Sequence, residues 1–417
     1  MIKMKKEKSV PITKKMVWKA YKKVKRKKGS AGIDGVDFDK FEEDRLKNLY
    51  KVWNRLASGS YFPSSVKEVA IPKKDGGERL LGIPTITDRI AQTVVKDYLE
   101  PRFEALFSPN SYGYRPQKSA HGAVKQVRDN CRKYAWVIDL DIKGFFDNID
   151  HDLLLKSVDK HVEENWVKMY IVRWLEAPIS KVNGELESKQ GKGTPQGGVI
   201  SPLLANLFLH YTFDKWMEKT YPNLPFVRYA DDAIIHCNTE QEAKQVLTTL
   251  QQRMEVCKLE LHPLKTKIVY CKDYRRKGKS TYNKFDFLGF SFQPRPTRSK
   301  RDGQTFLGFD PAISRSSGKK IVAEINALRI HKWSTATIEG IAEELNPKIR
   351  GWINYYGKFR RSTLRVIFRR LGERLMKWAL NKFKSLKRSK TRGYNLLEKY
   401  YKKNPKLFYH WEVGFQS

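Results

Sequence analysis

Four aspartates carry the chemistry most open to reading in this chain. In FVRYADDAIIHC, residues 226–237, Asp231 and Asp232 interrupt an apolar run that otherwise reads as a buried β-hairpin. In WVIDLDIKGFFD, which begins at Trp136, Asp139 and Asp141 alternate with apolar neighbours, so both acids point to one face of an interior strand. Adjacent carboxylates repel, and a dry unpaired charge is costly. Asp-Asp at a hairpin tip is also ordinary turn chemistry, and Asp139 also fits a purely structural acid. Two acidic strands in one basic chain suit a carboxylate cluster around Mg²⁺, a cation that takes hard oxygen ligands and keeps water and phosphate in its remaining positions. Two such ions, about 3.5–4 Å apart, are what phosphoryl transfer onto a 3′-hydroxyl uses.

The charge balance points the same way. The 417 residues hold 82 Lys and Arg against 45 Asp and Glu, a net +37. A chain this basic repels itself unless it meets a polyanion, and nucleic acid is the commonest one. No apolar stretch approaches the roughly 18 residues of a membrane span. With hydrophobic residues at 40% and aromatics at 12%, the chain is expected to fold around sizeable cores. Cys131, Cys237, Cys257 and Cys271 form no CxxC pair, which argues against zinc and for a reducing compartment. The Lys-rich start, MIKMKKEKSV, lacks an apolar core, so a cytoplasmic address is expected.

The elements that must position the acids alternate. A basic N-terminal helix with Met16, Val17, Ala20 and Val24 on one side leads into the loop GSAGIDGVD. Segments 65–73 and 79–84 read as strands joined by the turn KKDGGE. Helices are expected over 88–106, 119–134 and 240–258. Another begins at Ser201-Pro202, with the serine as cap and Leu203, Leu204, Leu207 and Tyr211 on one apolar face. Residues 266–271 and 284–293 read as strands, so an α+β domain ends near 293, and QPRPTRSKRDG reads as a linker. Beyond it, Leu364, Ile367, Phe368, Leu371, Leu375 and Trp378 follow a helical 3,4 rhythm. Residues 291–417 hold 29 Lys and Arg against 9 Asp and Glu, a net +20.

Nine motifs in order resemble those of group II intron reverse transcriptases and maturases: GSAGIDG, IPKKDGGERLLGIP, SYGYRP, VIDLDIKGFFDNIDH, GTPQGGVISPLLANLFL, RYADD, LKTKIV, FLGF and GWINYY. The resemblance implies a right-hand α+β polymerase with an antiparallel palm sheet and an α-helical thumb or maturase domain. Its parts would be an N-terminal extension (1–45), fingers and palm (46–293) and thumb (294–417). It implies an RNA-directed DNA polymerase using two Mg²⁺ ions, with RNA template, RNA–DNA duplex, dNTPs and a group II intron RNA as partners.

Carried over by residue, Asp141 and Asp231 would hold the metals, with Asp232 in support and the Ile142 carbonyl as a further ligand. Phe146 would exclude a ribose 2′-hydroxyl, although Phe145 beside it competes for the core position. Lys73 and Arg79 would hold the triphosphate, and Gln196 would line the nucleotide pocket, with the adjacent glycines allowing close backbone approach. Lys265, or its neighbour Lys267, would donate a proton to pyrophosphate. Asp147 and Asp150 fit helix N-termini. Arg350, Lys358, Arg360, Arg361 and Arg365 are the RNA-contact candidates. With no cysteine after Cys271, the C-terminal endonuclease of many relatives is not expected. Two rivals share the motifs: a splicing maturase without polymerase activity, and a related reverse transcriptase recruited for phage defence or DNA repair.

Overall fold

The computed structural model describes residues 10–72, 77–299, 301–386 and 389–415. Packing divides the chain into two compact units, one of residues 1–119, 138–235 and 241–267, the other of 120–137, 236–240 and 268–417. The strands are β1 (Val66–Pro72), β2 (Glu78–Ile83), β3 (Trp136–Leu140), β4 (Ile179–Ser180), β5 (Leu186–Glu187), β6 (Phe226–Tyr229), β7 (Asp232–Cys237), β8 (Lys267–Tyr270), β9 (Phe285–Phe287), β10 (Phe290–Arg298) and β11 (Thr305–Ile313). They form sheets in the orders β2-β1-β4-β5, β6-β7-β3-β8 and β11-β10-β9. Strands and helices thus alternate before a run of helices, which is the expected α+β class.

In the first unit, β1 and β2 pair antiparallel from Lys67↔Ile83 to Pro72↔Glu78, as the hairpin reading requires. The N-terminal helix, Lys14–Lys27, buries Val17, Ala20, Tyr21 and Val24. The GSAGIDG loop is tied down by Arg89, whose guanidinium donates to the carbonyls of Ser30 and Pro84. The helix Ser201–Leu209 differs from expectation in two ways. Ser201 is its first residue rather than its cap, and its hydroxyl accepts from Thr194. The amides of Val199 and Ile200 instead donate to Gln92 Oε1, at 2.7 and 3.3 Å. The helix is also buried nearly all round, as its apolar composition dictates. It continues through a wide π-type turn, His210–Asp214, into Lys215–Thr220.

In the second unit, the segment read as a linker is a strand. β10 runs through Arg298 and pairs antiparallel with β11 along its whole length, from Phe290↔Ile313 to Arg298↔Thr305. Only Phe290–Phe292 also pair with β9, so the stretch beyond has one open edge. Pro294 and Pro296 lie two residues apart there, and their missing N–H groups leave the pairing with β11 intact. The helices Ile338–Tyr356 and Arg365–Lys382 bury Ile341, Leu345, Ile349, Leu371, Leu375 and Trp378, so the 3,4 rhythm marks a true core face. Arg365, Arg369, Arg370 and Lys377 are exposed on the other side.

Candidate active site

The acidic hairpin is built by β6 and β7, which pair from Phe226↔Ile235 to Tyr229↔Asp232. That register leaves a two-residue tip, Ala230-Asp231, and Ala230 adopts φ +57°. A non-glycine residue in this region costs about 1–2 kcal/mol, so something must hold it there. Arg228 does: its Nη1 donates to the Ala230 carbonyl at 3.0 Å and to Asn206 Oδ1 at 3.0 Å. Its Nε and Nη2 grip the two oxygens of Asp214 at 2.7 and 2.5 Å. The SYGYRP loop braces the same strand, with Tyr112 N donating to the Arg228 carbonyl and Arg228 N to the Asn110 carbonyl. Gly113 passes so close that a Cβ there would lie 2.3 Å from Ala230 N.

Asp141 comes to the same place from another stretch of chain, just past the end of β3. Its carbonyl accepts from His262 N at 2.8 Å, and Lys143 N donates to the Glu260 carbonyl at 2.9 Å. These bonds flank the Ile142↔Leu261 bridge. Residue pairs flanked in this way turn their own N–H and C=O outward, so the Ile142 carbonyl points away from 260–262. Asp141, Ile142 and Asp231 line one cavity of about 660 Å³, together with Arg79, Phe146 and Gln196. Lys265 borders it as well. Burial pushes the Asp231 carboxyl above the usual carboxylate range; Arg79 and Arg228 oppose the rise, and Asp141 adds to it.

Other expected residues fall elsewhere. Asp232 is exposed at the start of β7 and outside the cavity lining. Lys73 lies outside the described residues. Of the two phenylalanines, Phe145 is the core residue at 2% exposure, while Phe146 is half-buried at the cavity wall. Gln196 Nε2 donates to Asp147 Oδ1 at 3.4 Å. Gly197, at φ +138°, does make a close approach, but to protein: a Cβ there would sit 2.3 Å from the Gly82 carbonyl of β2. Asp147 and Asp150 stand at helix N-termini as expected, Asp150 capping His151–Asp159 through Leu153 N.

Among the described residues no three His, Cys, Asp or Glu side chains gather closely enough to hold a metal ion by themselves. The site offers two carboxylates and a backbone carbonyl. That set suits Mg²⁺, which binds through one or two carboxylates and completes its shell with water and substrate phosphate.

Sequence reasoning passed over Arg228, Asp214 and Asn206. An arginine inside the apolar run FVRY and an asparagine inside SPLLANLFL were the available signals. It also missed Tyr114, whose hydroxyl is pushed up by burial and by the nearby Asp231. In the helical unit, Arg360 and Arg361 are partly engaged, donating to the carbonyls of Pro296 and Val413. The Arg350 guanidinium lies 5.2 Å from the Tyr409 ring centre. Lys358 and Arg365 are exposed.

Residues 71–292 match the family described as reverse transcriptase (RNA-dependent DNA polymerase), and residues 318–395 match the group II intron maturase-specific domain. The group II intron-encoded protein LtrA of Lactococcus lactis subsp. cremoris is 38% identical over 198 residues, 46% of this chain and 32% of LtrA. The match thus spans about a third of that relative's length. Protein YkfC of Escherichia coli K12 is 30% identical over 280 residues, 58% of this chain and 73% of YkfC. Among solved structures, a telomerase from Candida albicans aligns over 86% of this chain and 66% of its own, at 12% identity and a TM-score of 0.47. With the first match alone taking in more than half of its length, the chain belongs to the reverse transcriptase family of group II intron-encoded proteins.

Proposed function

We propose that this chain is an RNA-directed DNA polymerase that extends a primer on an RNA template, and that it also binds a group II intron RNA to aid splicing and mobility. One observation carries the reading: Asp141 and Asp231, from separate stretches of sequence, line a single cavity with Phe146 and Gln196. The mutual repulsion that raises the Asp231 pKa is relieved by a cation placed between the acids. Asp141, Asp231 and the Ile142 carbonyl would hold Mg²⁺, with Asp232 in support. When bound, a pair of such ions activates a 3′-hydroxyl and steadies the pyrophosphate leaving group.

The remaining residues act by position and charge. Arg79 opposes the acids across the cavity and suits the triphosphate of a dNTP. The Phe146 ring crowds a ribose 2′-hydroxyl at the cavity wall. Gln196, oriented by Asp147, contacts the nucleotide, and Lys265 supplies the proton that leaves with pyrophosphate. Arg350, Lys358, Arg360, Arg361 and Arg365 contact RNA phosphates, with Lys358 and Arg365 the most accessible of the five. No helix among the described residues is long and apolar enough to cross a membrane.

The test is primer extension on poly(rA)/oligo(dT) with Mg²⁺. Asp231→Ala should abolish dNTP incorporation while RNA binding persists. Equal extension by variant and wild type removes the metal assignment. Wild-type protein that binds intron RNA but incorporates no dNTP would leave splicing as the sole function.

A further inference from the structure

Lys189 is a cation without an assigned task, on a segment fixed against the catalytic one. Thr194 N donates to the Phe146 carbonyl at 2.8 Å, Gly193 N to the Ile149 carbonyl at 2.8 Å, and His151 N to the Gly191 carbonyl at 3.0 Å. His151 Nε2 adds a contact of 2.7 Å with the Gly193 carbonyl. Residues 188–194 are therefore held in register with the turn that carries Phe146. Lys189 borders the catalytic cavity on one side. On the other it borders a second cavity of about 410 Å³, against the helices His151–Asp159 and Asn165–Glu176.

Its ammonium nitrogen is shielded from solvent and has no hydrogen-bond partner among the described residues. Acids are near both openings, Asp152 and Glu176 on the second cavity and Asp147 and Glu187 on the first, yet Lys189 bonds to none of them. Burial pushes its pKa down to about 8, so at neutral pH it stays mostly protonated. A dry, unpaired ammonium is costly, and a methionine of similar length would pack there at no such cost. The position therefore gives up stability in the ligand-free protein, which makes sense when an anion arrives later.

We propose that Lys189 binds a phosphate entering the catalytic cavity, supplied by the triphosphate of the incoming nucleotide or by the backbone of the template–primer duplex. This rests on the polymerase reading above. The experiment compares wild type, Lys189→Met and Lys189→Arg as full chains. It measures the melting temperature without ligand, the Kd for an RNA–DNA template–primer duplex across a salt series, and the KM for dNTP in primer extension.

Lys189→Met should melt at or above wild type. If the nucleotide supplies the phosphate, KM should rise about 10- to 100-fold with Kd unchanged, the worth of one hydrogen bond to a charged group. If the duplex supplies it, Kd should rise and the slope of log Kd against log salt should flatten by about one. Lys189→Arg, which keeps the charge, should retain more binding than Lys189→Met. Unchanged KM, Kd and slope overturn the proposal. So does a methionine variant that melts lower, because the lysine would then be structural. Failure here leaves the polymerase reading intact if wild type extends primers and Asp231→Ala does not, and the duplex measurement needs no turnover.

Discussion

Replacing Arg228 with methionine tests what holds the acidic hairpin in place. Arg228 is 1% exposed and Asp214 0%, so their ion pair is wholly dry. His210 Nδ1 lies 3.9 Å from the same carboxylate, but burial pushes its pKa down to about 4. The imidazole is therefore neutral at pH 7, and Arg228 is the charge that compensates Asp214. Removing it strands a buried carboxylate, a loss of about 3–5 kcal/mol. The carbonyls of Ala230 and Asn206 also lose a donor, which adds about 1–3 kcal/mol for each that finds no other partner. At about 2–4 °C per kcal/mol for a domain of roughly 150–250 residues, the ion-pair loss alone lowers the melting temperature by roughly 6–20 °C. The Ala230-Asp231 tip loses its clamp as well, so primer extension should fall at least tenfold at temperatures where the variant is folded. Thermal melts and extension rates at pH 7 read both effects. The double variant Arg228→Met/Asp214→Leu removes both charges and should melt closer to wild type than Arg228→Met alone. A single variant within about 2 °C of wild type, or a double variant that melts lower than the single, would refute the reasoning.

The same geometry sets further outcomes. Phe146→Val should admit rNTPs, read as a smaller ratio of kcat/KM for dNTP over rNTP; an unchanged ratio removes Phe146 from the gate. Gly113→Ala places a methyl 2.3 Å from Ala230 N and should cost about 1–3 kcal/mol by overpacking, with a matching fall in extension rate. A variant with wild-type melting and rate would show that the loop yields freely. His210 and His410 titrate near 4 and 3, below the usual histidine value of 6.5, because burial disfavours their charged forms. Below about pH 6.5 the unfolded chain binds the extra protons, so their contribution is complete above that pH and declines as pH falls toward 4 and then 3. Urea midpoints should fall between pH 7 and pH 5, and His410→Phe should weaken that dependence; an identical slope in the variant would exclude His410 as a source.

The parts of the fold legible in the sequence were those with a local signature. The two-residue tip at Ala230-Asp231 and the turn after Pro72 each sit between apolar runs, so both hairpins could be read from alternation alone. The rhythm from Leu364 to Trp378 likewise marked a buried face before any partner was known. The strand through Pro294 and Pro296 was illegible because proline suits an open sheet edge as well as a linker, and only the pairing with β11 decides between them. The cap at Ser201 was misread for a related reason: Gln92, remote in sequence, takes the amides that a serine would have served. In the site, acid types and spacing revealed Asp141 and Asp231. The clamp around them was hidden because Arg228, Asp214 and Asn206 come from three segments whose meeting no single stretch records.

The wide turn at His210–Asp214 sets the rotational phase between the helix before it and the helix after it. An α-helix advances about 100° per residue, so excising one residue there, such as Tyr211, would tighten the turn and rotate everything downstream by that angle. The Asp214 carboxylate would swing off the guanidinium it now faces, and the rim of the nucleotide site would lose its anchor without any of its own residues being touched. Along this stretch the chain should therefore bear changes of side chain far more readily than changes of length.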